Sequence, residues 1–452
     1  MLKSQGQFKK RTASLAIAVC LSLLLAPAQP ASIAANLDVR IEAHRKQGLP
    51  FTLKELEKWH AYPKGDNAAD VYLEAFKLLV SPPPGESDLP FVVRSALPPR
   101  GEPLPAKTIT AIRKFSATNR PAMKLLHEAA KIKNCRYPID LREGFELLSP
   151  HYSQLKRAGQ LFNLEALRLV EDDRMDQAVE QFAAAFAAAD SLASEPTVIA
   201  QLLRMRIDGY SCEALEHILN RRRLDNSQLK RLSRIFIGRK KPGMITGALI
   251  GDLCSARAYY NGSPELWAAF LAEGEKVTAD ELKFFRSREY ARHTKADHRF
   301  YLGVMMDLID ASRQPFPACF ITTKKVKTRF ESIAHPRRYA GTGAFYPALD
   351  VVFDVTVEHA AILRSAGTAI AIERWRHTND GNLPESLSEL VPDYLNSVPT
   401  DPFDGKPLRY RRLPKGYVVY SIGNNRMDDQ GSEESIDEAD RRKRDLIFRV
   451  ER

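Results

Sequence analysis

Helical patterning runs through most of this chain and stops at Asn379-Asp380-Gly381, after which the pattern changes character. Glycine accepts the left-handed conformation that ends a helix, so Asp380-Gly381 reads as a C-cap. Beyond it, Leu383 to Leu387 fits the start of a short second helix, and Pro399, Pro402 and Pro407 hold an extended loop. Leu408-Arg409-Tyr410-Arg411 and Tyr417-Val418-Val419-Tyr420 then alternate with period two around Pro414-Lys415-Gly416, the pattern of a β-hairpin. A hairpin this small needs a helix over one face to be stable. The apolar stretch Ala360 to Arg376 supplies one, with Ile362, Ala366, Ala369, Ile370 and Trp375 as its packing residues. The expectation is a C-terminal α+β module in which Tyr410, Tyr417, Val419 and Trp375 are buried together.

The order of these motifs resembles the globular half of the type II secretion major pseudopilin. The counterparts here are Leu383-Pro384, Leu387, Leu390-Val391, Asp401-Pro402-Phe403, Pro407, Tyr410, Gly416-Tyr417 and Tyr420-Ser421-Ile422-Gly423, with Asp445-Leu446 closing a loop. The resemblance implies a helix packed on an antiparallel hairpin and a calcium site in the loop after the second strand. Calcium takes six to eight hard oxygens, and Asn425, Asp428 and Asp429 are the candidate side-chain ligands. The match is imperfect: where the family has Asp-Gly this chain has Asn425-Arg426, which brings a positive charge toward the site. A second reading stays open, because Glu433, Glu434, Asp437, Glu438 and Asp440 are followed by Arg441-Arg442-Lys443-Arg444 and form a charge-balanced, solvated loop without an ion. In the pseudopilin the module sits on a long membrane helix. Here that position holds the polar, Pro-containing Phe345-Tyr346-Pro347 region, so the chain is not expected to insert in a pseudopilus.

At the other end, Lys3, Lys9, Lys10 and Arg11 precede an apolar run from Leu15 to Leu25 and small-residue sites at Ala26-Pro27-Ala28 and Ser32-Ile33-Ala34. This is the pattern of an export signal over residues 1–34. The run is shorter than the roughly 20 residues a bilayer span needs, so membrane attachment is expected only if the signal stays uncleaved. Cys20 lies inside the apolar run, where it does not fit a lipidation site. Of the five cysteines, Cys135, Cys212, Cys254 and Cys319 lie far apart without metal-ligand spacing. Two disulfides and four buried thiols both remain open.

The body between these ends reads as helices. Residues 35–105 form an N-terminal helical segment closed by a Pro-rich linker, 106–345 a helical domain, and 350–452 the C-terminal module. Gly48 to Leu56 resembles a prepilin cleavage site, but no apolar span follows it. Thr52 as N-cap with Glu55 three residues on makes a capping box instead, and Asn67 caps the next helix. Leu161–Val170 and Asp176–Leu192, joined by Glu171-Asp172-Asp173-Arg174, resemble one tetratricopeptide-type hairpin, with Ala166, Ala178, Phe182 and Ala185 at its packing positions. No second copy follows at that period. The fold class is therefore mainly α: a multi-helix hairpin array or bundle followed by a small α+β module.

No nucleophile elbow, zinc-protease helix or phosphate-binding glycine loop occurs. His293 and His298 are spaced i, i+5, poorly placed for a shared metal ion. The net charge of +11 includes two basic stretches, Arg221 to Lys241 and Lys324 to Arg338, but few aromatics interleave with them, so nucleic acid is not an expected partner. Solvated helix faces, or contact with acidic envelope groups, account for them. The sequence points to an exported, periplasmic or extracellular, non-catalytic binding or scaffolding protein with a protein partner in the cell envelope, calcium being its one candidate cofactor. An accessory factor docking on the type II secretion machinery and an envelope hydrolase with a dispersed site are the alternatives.

Overall fold

The computed structural model describes residues 32–82, 89–92, 97–147, 149–237, 243–271, 277–333, 336–432 and 444–452. Nearly all of the expected export signal, parts of the Pro-rich stretch and the acidic and basic run at 433–443 lie outside these residues. The described chain is mainly helical and carries one small three-stranded antiparallel sheet. No helix among the described residues is long and apolar enough to cross a membrane.

Helices α1 (Ser32–Lys46), α2 (Leu53–Trp59) and α3 (Ala68–Leu78) come first. Thr52 caps α2 by accepting the Glu55 N–H at 3.2 Å, while the Glu55 carboxylate reaches back to the Phe51 N–H at 2.8 Å, one residue earlier than a regular capping box. Asn67 caps α3 through the Ala69 N–H and also accepts the Arg136 N–H, tying the helix start to a distant loop. After the Pro-rich stretch come two helices, α4 (Ala106–Thr118) and α5 (Arg120–Ala129). Asn119 is fully buried at the break, donating to the Phe115 carbonyl and accepting the Val80 N–H, and Pro121 starts the new helix.

The expected hairpin is present as α6 (His151–Glu171) and α7 (Met175–Asp190), with Ala166, Ala178, Phe182 and Ala185 all buried. Then come α8 (Val198–Arg221), α9 (Asn226–Ile237) and α10 (Thr246–Tyr260). A Cβ at Gly251 would lie 1.8 Å from the Pro196 carbonyl oxygen, so α10 meets that turn backbone to backbone. The stretch from Ser263 to Arg313 divides into α11 (Pro264–Leu271), α12 (Ala279–Phe285) and α13 (Arg288–Ser312), followed by α14 (Ala318–Glu331).

The largest difference from the sequence reading is α15, which spans Ala340–Thr378 and runs straight through Pro347. Proline removes one helical hydrogen bond and crowds the preceding turn. Here the first turn is held from outside: the buried carboxylate of Asp297 accepts the N–H groups of Gly341 (2.8 Å) and Thr342 (3.2 Å), the Thr342 hydroxyl (2.6 Å) and the Tyr260 hydroxyl (3.1 Å). A carboxylate at a helix N-terminus also meets the positive end of the helix dipole. The division expected between 345 and 350 therefore falls inside one helix.

The sheet is formed by β1 (Arg409–Leu413), β2 (Gly416–Ser421) and β3 (Leu446–Val450), in the order β1-β2-β3. The hairpin register pairs Leu413 with Gly416 and Arg409 with Tyr420, and β3 pairs along the other side of β2 from Tyr417–Val450 to Ser421–Leu446. Gly416 has φ +96°, and a Cβ there would lie 1.9 Å from the Val450 carbonyl oxygen. The sequence pattern predicts only the two strands of the hairpin, and β3 is an addition to them. All of β2 is buried, because α15 covers one face and the loop through Gly431 lies on Val418 and Tyr420 on the other. One apolar core runs from Tyr72, Leu126 and Phe162 through Ile370 to Tyr417, Val419 and Val450, so helical body and sheet share it. A second core joins α10, α13 and α14 to the first half of α15. Tyr417 and Val419 are fully buried, whereas Tyr410 and Trp375 are half-buried. Ala369 occupies the contact expected of Trp375, its carbonyl accepting the Tyr417 hydroxyl, and the Trp375 ring packs edge-on against Tyr394.

Candidate functional site

The Pro-pinned loop and the sheet are joined by one carboxylate. Asp401 is fully buried and accepts four hydrogen bonds: from the Phe403 N–H (3.0 Å), the Ser421 hydroxyl (2.8 Å), the Ile422 N–H (2.9 Å) and the Arg409 guanidinium (2.8 Å). Arg409 also binds Asp404 at 2.6 Å and lies 3.8 Å from Asp428. The Asp401-Pro402-Phe403 motif thus fixes the end of β2 and aims the following loop. Phe403, also fully buried, sets its ring edge-on to Phe320 of α14.

The loop after β2 holds the three candidate ligands in unequal positions. Asn425 folds its side chain back to accept the Met427 N–H at 3.1 Å. Asp428 accepts the Tyr420 hydroxyl (3.1 Å) and the Gln430 N–H (2.9 Å) through the same oxygen. Asp429 is exposed. The structure brings Asp428 and Asp429 close to Asp445, which is buried to within 4 % and accepts the Gly431 N–H at 2.8 Å through one oxygen, while its other oxygen has no partner. Burial pushes the Asp445 carboxyl up to about 6; the Gly431 and Asp429 N–H groups oppose the rise, and the nearby Asp429 and Asp428 carboxylates add to it. An orphaned buried oxygen beside two further acids suits a hard cation. Asp445, Asp428 and Asp429 are the groups that would hold calcium, and Asn425 is not drawn into that group. No set of three metal-ligating side chains is already converged among the described residues.

Arg426 does not approach the acids. With φ +58° it turns the other way, donating to the Phe403 carbonyl at 3.1 Å and lying over the Phe320 ring. Asn424 donates to Asp354 of α15, which also pairs with Lys324 at 2.7 Å. Arg426 therefore docks the loop on the body and leaves the acids clear.

Part of each basic stretch is paired between helices. Arg221 and Arg231 pair with Glu171 and Asp176, Lys324 and Lys327 with Asp354 and Asp350, and Arg329 with Asp307. The four described cysteines are free thiols, and burial pushes Cys254 and Cys135 up to about 12 and Cys319 to about 11, which keeps them protonated and unreactive. His298 stacks on Tyr260 at 4.5 Å, and burial lowers it to about 4. Two buried pairs carry no sequence signal at all. His359 of α15 meets Asp208 of α8 at 2.9 Å, and His151 meets Glu195 at 3.0 Å under the ring of Tyr137.

Replacing Asp401 with Ala leaves the buried Phe403, Ser421 and Ile422 donors unmatched and takes one carboxylate partner from the Arg409 guanidinium, which keeps Asp404. The expected cost is about 3–5 kcal/mol, read as a lowered urea midpoint. A loss close to zero would contradict the role given to this carboxylate.

In comparison with known proteins, no family model, no curated protein and no solved structure matches this chain, so the reading of the site rests on its own geometry.

Proposed function

We propose that this is an exported binding or scaffolding protein of the bacterial cell envelope, which acts by contact rather than catalysis and presents a pseudopilin-like C-terminal module on a helical body. The observation that supports this reading most is the asymmetry of the sheet's two edges. The β3 edge is closed by α8: Glu216 accepts the Arg449 N–H at 3.2 Å, and Asn220 both donates to the Arg449 carbonyl and accepts the Glu451 N–H, each at 2.7 Å. Two side chains one helical turn apart thus stand in for a fourth strand. The β1 edge has no neighbouring strand among the described residues, and it carries the exposed Arg411 and Lys415 beside Arg412, which reaches Glu385. Exposed strand edges template pairing with other chains, and charge selects which chain is accepted. An acidic, extended segment of an envelope protein is the partner this edge suits. Calcium at Asp428, Asp429 and Asp445 would stiffen the loop on the outer face of the same sheet.

A photo-crosslinking amino acid at Arg411 tests the edge. The expected product is an adduct in the envelope fraction that disappears when Arg412 and Lys415 are both changed to Glu, with the melting temperature unchanged. An adduct that survives the charge reversal, or one confined to the cytosol, contradicts the reading.

For the ion, calcium at millimolar concentration is expected to raise the melting temperature through preferential binding to the folded state, and chelator is expected to reverse the rise. Asp445→Asn should abolish the response. A melting curve indifferent to calcium would leave the loop to its internal hydrogen bonds alone.

A further inference from the structure

Away from the sheet, α1 lies across the pair α13 and α14 and leaves a cleft of about 390 Å³ between them. That volume lies within the range of small-molecule sites. Its walls are charged. Asp307 of α13 is gripped by two guanidinium groups, Arg40 of α1 and Arg329 of α14, each at 2.7 Å, and Arg40 reaches Asp310 at 2.8 Å with its other nitrogen. Two carboxylates therefore neutralise two arginines.

Lys325 is the charge left over. Its neighbours in sequence turn to α15, Lys324 to Asp354 at 2.7 Å and Lys327 to Asp350 at 2.6 Å, whereas Lys325 is exposed on the cleft wall with no ion pair among the described residues. Thr322 donates to the Gln314 side-chain oxygen at 2.9 Å, which leaves the Gln314 amide N–H groups without an acceptor among the described residues. The Arg329 Nε is buried and also without a partner. The uncommitted groups are thus chiefly donors, and the net charge of the lining is positive.

We propose that this cleft is a binding site for a small organic anion, a sugar acid or phosphate ester in which the acidic group meets Lys325 and a hydroxyl or carbonyl oxygen meets Gln314. Charge-assisted hydrogen bonds supply the attraction, and the Arg40–Asp307–Arg329 cluster holds the three helices at the spacing the ligand needs. The inference is independent of the sheet-edge reading, since no residue is shared between the two surfaces.

Isothermal titration of the full chain with glucuronate and with glycerol 3-phosphate, against glucose, glycerol and inorganic phosphate as controls, tests it. The expected result is one site for at least one organic anion, silence with the neutral controls and weaker binding of inorganic phosphate. Lys325→Ala should weaken the organic anion about tenfold or more, the scale of one charge-assisted contact, and Lys325→Arg should restore most of it. Lys325 is exposed, so neither variant threatens folding. No heat from either organic anion at millimolar concentration would overturn the proposal. So would equal binding of glucose, inorganic phosphate binding as tightly as the organic anions, or an affinity unchanged in Lys325→Ala.

Discussion

The burial of α15 is the constraint on which the rest of the molecule depends. Its residues Ala366, Ala369, Ile370 and Ile372 are completely enclosed, with α8 and α9 packed on it from one side and β2 and β3 from another. A buried helix end must satisfy its backbone groups without water, and the N-terminus of α15 is met by charge. Asp297 holds the N-terminal N–H groups. Toward the other end, Glu373 pairs with Arg376 and with Arg452, which fastens the stretch after β3 to the same helix. Between them, His359 and Asp208 close a polar contact inside the interface with α8. The module and the body are thus two sides of one helix.

Because α15 is fixed, the sheet that lies on it is presented in a fixed direction. Asp401 sets the path of the chain into β1 and out of β2, and the loop beyond is held by Arg426 and Asn424 against α14 and α15. α8 closes one edge of the sheet with side chains, and no strand among the described residues pairs with the other. An edge on a loosely tethered domain would lose orientational entropy on binding, whereas one built into a shared core has already lost it.

Local signals made much of this legible. The caps at Thr52 and Asn67, the α6–α7 hairpin and the β1–β2 hairpin each rest on residues within a few positions of one another, and each is where the sequence places it. The failures were all tertiary. Nothing near Pro347 reveals that Asp297, fifty residues earlier, holds the turn that lets α15 start upstream of it. The strand Leu446–Val450 follows a charged run, and its edge partners are two side chains of α8. Asn119 looks like an ordinary helix residue until the Val80 N–H needs an acceptor. At the candidate site the loop was located by resemblance and Asp445 was seen as its closing residue, but only packing shows that Asp445 is buried with an unmet oxygen while Asn425 turns inward on its own loop.

The integration of sheet and body is tested most directly by native-state hydrogen exchange. Amides of β2 between Tyr417 and Val419 and amides of α8 between Ile207 and Ile218 belong to a continuous core, and should open with the same free energy. Asn220→Ala should lower both together. Exchange of the β2 amides at markedly lower free energy, with α8 protection untouched by the substitution, would mean that the sheet is a separable unit and would contradict the account.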